Sequence, residues 1–110
     1  MKRVIVLPEV RQYFKNLVPI LYDLEYFSYL ESSQKYVDEL LDDIITNLPK
    51  HIHKPASAHF DRYGKNMDYA VFSKNKRTSW YVFFNSYEFE NDVVYLIRYV
   101  GNNHTVAQYL

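Results

Sequence analysis

Between Pro49 and Arg77 the chain carries seven Lys/Arg residues (Lys50, Lys54, Arg62, Lys65, Lys74, Lys76 and Arg77) against two carboxylates, Asp61 and Asp68. His51, His53 and His59 are interleaved with them. So much fixed positive charge in one stretch suits a polyanion, held through an attraction that weakens steeply with salt. Further on stand Arg98, His104 and Tyr109. A guanidinium offers a phosphate two parallel hydrogen bonds and stays charged. An imidazole exchanges protons near neutral pH and serves as acid or base. The pair His51 and His53, with His59, also has the look of a metal site. No cysteine accompanies it and no carboxylate stands at ligand spacing, so neither a metal nor any other cofactor is expected.

The rest of the composition narrows the classes. At 110 residues the chain is long enough for one core and is read as one domain, 1–110. Nearly half the residues are apolar and only two are glycine, which is the composition of a folding sequence. Twelve tyrosines bring apolar bulk together with hydroxyls that need partners once buried. The absence of cysteine removes disulfides and thiolate nucleophiles. The start, Met1 to Pro8, has too short an apolar run for a secretory leader and reads as a buried first strand. No stretch approaches membrane-spanning length, and a cytoplasmic location is expected. Glycine-rich phosphate loops, Ser/His/Asp arrangements and paired carboxylates are all missing. Formal net charge is zero but unevenly spread: residues 1–48 carry five Lys/Arg against eight Asp/Glu, and residues 49–110 carry eight against five.

The elements that must position these groups follow from periodicity. Lys2 to Leu7 reads as a strand, with Pro8 suited to the first turn of a helix. Val10, Tyr13, Phe14 and Leu17 give helical spacing over Glu9 to Val18, and Pro19 is expected to end or kink that helix. A second helical segment places Ile20, Leu24 and Phe27 on one face. Ser28 to Glu31 has capping-box spacing, with Ser32 and Ser33 as competing caps. Val37, Leu40, Leu41, Ile44, Ile45 and Leu48 form a helical stripe opposite Asp38, Glu39, Asp42 and Asp43, stopped by Pro49. Residues 50–66 lack a period; a loop that long is either functional or hides a short element. Met67 to Ser73 and Thr78 to Phe84 read as a hairpin about a turn at Lys74 to Arg77. Ser86 to Asp92 reads as a polar connection, and Asp92 to Val100 as a final strand. Gly101 to His104 forms a turn, and a tail runs from His104 to Leu110. The expected fold is α+β: an opening strand, a helical hairpin, then a three-stranded antiparallel meander with the helices on one sheet face.

That order resembles the RelE/ParE superfamily of toxins from bacterial type II toxin–antitoxin systems. It is carried by the opening strand, the two helices, the basic connection, the hairpin segment Lys76 to Phe84 and the last strand running into Asn102, Asn103 and His104. The resemblance spans Lys2 to Leu110. It implies a toxin, held inactive by a cognate antitoxin, that acts as a metal-independent endoribonuclease on mRNA at the ribosome and inhibits translation. The ParE-like branch implies instead a protein that inhibits DNA gyrase by binding it. A third reading is a regulatory module on the same scaffold without catalysis. In the nuclease reading Arg77 and Arg98 steady the phosphate, His104 acts as acid or base, and Tyr109 stacks or donates a proton. Lys50, Lys54, Arg62, Lys65, Lys74 and Lys76 then hold the RNA backbone.

Each of these residues also has a structural alternative. Arg77 suits a solvated turn. Arg98 can face either side of its strand and pair with Glu88 or Glu90. His104, following two asparagines, suits a helix-capping turn. Tyr109 suits packing.

Overall fold

The computed structural model describes residues 1–74 and 78–110. Strand β1 (Lys2–Val6) hands over at Leu7 to helix α1 (Pro8–Asp23), whose first position is filled by Pro8. Proline fits there because the N–H it lacks would have no intrahelical partner. β1 is not the buried strand the sequence suggests: Val6 is buried, but Lys2, Arg3 and Ile5 are exposed at a sheet edge.

Pro19 neither ends nor divides α1, which runs through it as one helix to Asp23. Pro19 and Lys15 are exposed, so the carbonyl that Pro19 cannot serve, that of Lys15, lies on the solvent side. On the other side Val10, Phe14, Leu17 and Val18 are buried. Helix α2 (Leu30–Asn47) starts after Tyr29, and no side-chain cap forms from Ser28. Ser33 is fully buried on the stripe that continues through Val37, Leu40 and Ile44. Its hydroxyl donates to the Val18 carbonyl at 2.6 Å, pinning α2 to α1 at one polar point. Leu48, Pro49 and Lys50 close the segment as a turn of 3₁₀ helix.

The long loop holds structure: a two-residue strand β2 (Lys54–Pro55) and a 3₁₀ helix, Ala58–Arg62. Strand β3 (Asp68–Ser73) then pairs with β4 (Ser79–Phe89), and β4 with β5 (Asp92–Asn102). Lys74 N–H donates to the Thr78 carbonyl across the first connection. Ser86 to Phe89 is therefore strand rather than connection, and only Glu90 and Asn91 turn the chain. Glu90 sits at φ 56°, in the left-handed region, without the freedom of a glycine.

The sheet has five strands, the opening strand and the three of the expected meander joined by the short β2, in the order β1-β5-β4-β3-β2. It is mixed, because β1 lies parallel to β5 while the other pairs are antiparallel. α1 and α2 cover one face and bury Phe72, Trp80, Val82, Phe84, Ile97 and Val100 beneath them. The other face is covered too, by short helical elements. Phe60 of the 3₁₀ helix and Val106 of a short helix α3 (Asn103–Val106) pack there on Met67 and Phe83, with Tyr63, Tyr69, Tyr81 and Tyr99 around them. Among the described residues no helix is long and apolar enough to cross a membrane.

Candidate functional site

β5 carries one residue more than β4 can pair. Phe83 lies opposite Tyr99 and Phe84 opposite Ile97, so Arg98 is the extra residue of a β-bulge. A bulge breaks the alternation of side chains. Ile97 and Val100, three apart, both enter the core under α1 and α2, while Tyr99 joins the opposite cluster. Arg98 is thereby turned to the same side as Tyr99. Its Nε donates to Asn85 Oδ1 at 2.6 Å and its Nη2 to the Tyr87 hydroxyl at 3.1 Å. Glu88 and Glu90 take no part. Asn85 is itself anchored, its amide donating to the carbonyls of Lys65 and Asn66. Gly64 lies against the arginine stem: a Cβ there would stand 2.5 Å from Arg98 Cδ.

Arg62 ends the 3₁₀ helix, with its guanidinium carbon 5.9 Å from the centre of the Tyr63 ring. Tyr63 stacks on Tyr99 with ring centres 3.9 Å apart and planes 9° from parallel. Arg62, Tyr63, Arg98 and Tyr99 line one cavity of about 480 Å³ together with Glu9 and Tyr13 from the start of α1. Burial raises the Tyr99 pKa, reinforced by the charge and hydroxyl of Tyr63, with Arg62 opposing. Burial, and then Tyr99, push the Tyr13 pKa up to about 12. Both hydroxyls stay protonated at neutral pH and act as donors. Among the described residues neither arginine has a carboxylate within ion-pair distance. The cleft therefore offers guanidinium donors, phenol donors and stacked ring faces to an anion that carries an aromatic group.

The other sequence candidates lie elsewhere. Lys50 and Lys54 line a separate hollow of about 400 Å³ with His51, Tyr69 and Val71. Tyr69 and Val71 alternate along β3 with the core residues Ala70 and Phe72, so this hollow opens on the same face as the arginine cleft. Lys65 is exposed, and Lys74 is half-buried beside the hairpin. Lys76 and Arg77 lie outside the described residues. His104 is in the first turn of α3, whose cap is Asn102, its Oδ1 accepting from the Thr105 N–H and hydroxyl at 3.0 Å each. It lines a hollow under the helical hairpin with Leu17, Leu24 and Trp80, apart from the arginine cleft. Tyr109 stacks on His59 at 3.6 Å, and its carbonyl accepts from the Ser57 hydroxyl. His51 and His53 contact the carbonyls of Val71 and Leu48 and pack on Phe72 and Phe84, so both imidazoles are used in packing. Among the described residues no three metal-ligating side chains gather.

Of the ten candidates, then, Arg62 and Arg98 share a cavity. Tyr63, Tyr99, Tyr13, Glu9 and the supporting Asn85 and Gly64 were not singled out by the sequence. One signal was present: the dipeptide Arg-Tyr occurs at 62–63 and again at 98–99, and both copies meet here. Comparison with known proteins adds no relative, since no family model, curated protein or solved structure matches the chain.

Proposed function

We propose that this protein is a toxin of the RelE/ParE type that binds and cuts mRNA at the ribosome, with the arginine cleft as its RNA site. The observation that carries the reading is Arg98, aimed by the bulge into one cleft with Arg62 and the stacked Tyr63 and Tyr99, with no carboxylate within ion-pair distance of either guanidinium among the described residues. The element order on which the resemblance rests, strand, two helices, connection, hairpin and last strand, is also the order of the described fold.

Cleavage without a metal requires a proton taken from the 2′-hydroxyl, charge neutralised on the phosphorane, and a proton returned to the leaving oxygen. Arg62 and Arg98 supply the neutralising charge. Tyr99, still protonated, donates to a phosphate oxygen, and Tyr13 gives its phenolic proton to the leaving 5′-oxygen and regains one from water. Glu9, the carboxylate at the cleft, is the proton acceptor. Lys50 and Lys54 extend the backbone contacts on the same face, and an antitoxin silences the protein by covering that face.

Induced expression, with message integrity and translation followed together, tests the proposal. Growth arrest with cut messages is expected, and purified protein should cut RNA in the presence of EDTA. Arg62→Ala and Arg98→Ala should each lower cleavage by about a hundredfold or more, as loss of a transition-state donor does. Intact messages during growth arrest would overturn it.

A second reading is a ParE-like protein that inhibits gyrase by contact. It is favoured by the position of His104 outside the arginine cleft, which leaves that cleft without an imidazole. Inhibition of supercoiling by purified protein, unaffected by Arg98→Ala, would establish it in place of the first.

A further inference from the structure

At the tip of the helical hairpin the fold leaves large apolar side chains uncovered. Leu24 is 63% and Tyr26 65% exposed, and Ile20, Tyr29 and Leu30 are exposed beside them in the chain. They are not scattered. Leu17, Ile20, Leu24 and Phe27 wall a groove of about 350 Å³ whose floor is Trp80. Phe27 also borders an adjoining hollow of about 460 Å³, where Asp23 and Glu25 stand with Tyr22 and Ser28. Both carboxylates are exposed, and among the described residues neither has an ion-pair partner. Glu25 is held at φ 63°, a left-handed conformation unusual for a residue with a side chain.

We infer that this groove is a docking site for a partner protein, which lays an amphipathic helix across it with apolar side chains over Trp80 and a Lys or Arg in the Asp23/Glu25 hollow. Two observations select that occupant. At the floor, Trp80 is paired on both sides, with Phe72 of β3 and Asn102 of β5, so no open strand edge is available for an added strand. The occupant must bind through side chains, as a helix in a groove does. The neighbouring carboxylates select the sign of the charge beside the apolar anchor and disfavour an acidic segment. The groove shares no lining residue with the arginine cleft, so the inference stands or falls independently of RNA cleavage.

Trp80 is the only tryptophan of the chain, which makes its fluorescence a reporter of the groove. The probe is a synthetic helix of about five turns, with leucines along one face and arginine at one end, beside a twin with glutamate in place of arginine. A saturable change in Trp80 emission is expected with the arginine peptide, with binding about fivefold weaker for the twin, as two exposed charge pairs would give. Changing both carboxylates, Asp23→Lys with Glu25→Lys, should reverse that preference. Leu24→Asp should abolish binding of both peptides while leaving thermal unfolding and RNA-oligonucleotide binding unchanged. No saturable response, or equal affinity for the two peptides, overturns the inference. So does sedimentation showing a dimer of the chain that Leu24→Asp dissolves, because the groove would then belong to a second copy.

Discussion

The two faces of the sheet are closed in different ways. Under α1 and α2 the packing is continuous: Leu40, Ile44 and Leu48 of the helical stripe are fully buried over Val82, Phe84 and Ile97. On the opposite face short helices cover the strands, and the contacts are between rings, Phe60 on Phe83 at 4.2 Å and Tyr63 on Tyr99 at 3.9 Å. Beside the Tyr63 and Tyr99 rings lies the hollow that holds Arg62 and Arg98, and Lys50 and Lys54 line another beside Tyr69. The long helices give the chain its stability, and the thinly covered face leaves room for polar groups to meet a ligand. The acidic half of the sequence belongs mainly to the first region, where Asp38, Glu39 and Asp42 point to solvent.

Substitutions on each face test that division. The largest effect on stability is expected from Phe84→Ala, about 3–5 kcal/mol in urea unfolding, because a fully buried ring on the helical side is lost. A loss under about 1 kcal/mol would show that this side is not the stabilising one. Raising the pH should act through the cleft. Tyr13 has its folded pKa near 12 against an unfolded value near 10, so its contribution is fully present below pH 10. That contribution, on the order of 2 kcal/mol, is lost as pH rises from 10 towards 12. Tyr13→Phe should flatten that part of the stability curve, and an unchanged curve would count against the burial described.

Gly64→Ala should weaken RNA-oligonucleotide binding and cost about 1–3 kcal/mol, since its Cβ would displace the arginine stem. Wild-type binding by this variant would mean that the placement of Arg98 is unimportant. Ser33→Ala, on the helical side, should cost about 1 kcal/mol with binding untouched. The smallest effect belongs to Glu90→Gly, at the turn between β4 and β5. It should stabilise by a few tenths to about 1 kcal/mol by relieving the left-handed backbone.

Much of the helical face was legible in the sequence. The stripe from Val37 to Leu48 repeats at helical spacing, and that spacing is local. Pro19 does not end α1 because a proline's cost depends on whether the carbonyl it frees meets water, which only the orientation of α1 decides. Ser86 to Phe89 read as a connection because Ser86 and Glu88 run on into Glu90, Asn91 and Asp92 as one polar stretch, which outweighs the alternation with Tyr87 and Phe89. The cleft was the least legible part. Simple alternation sends Arg98 and Tyr99 to opposite sides, and the bulge that unites them is a property of two strands in register. Nor does local pattern reveal that Gly64 is required by a side chain thirty-four positions away.

The parallel pairing of β1 with β5 carries a consequence for biogenesis. Lys2 finds its partner in Val93, and Val6 in Ile97, so the opening segment has no place in the sheet until the last strand has been made. Contacts so distant along the chain form late and slowly. Until β5 emerges, the growing polypeptide has its helical hairpin but neither Arg98 nor a finished β-sheet. Whatever this protein does, it does only once β5 has been made and β1 has paired with it.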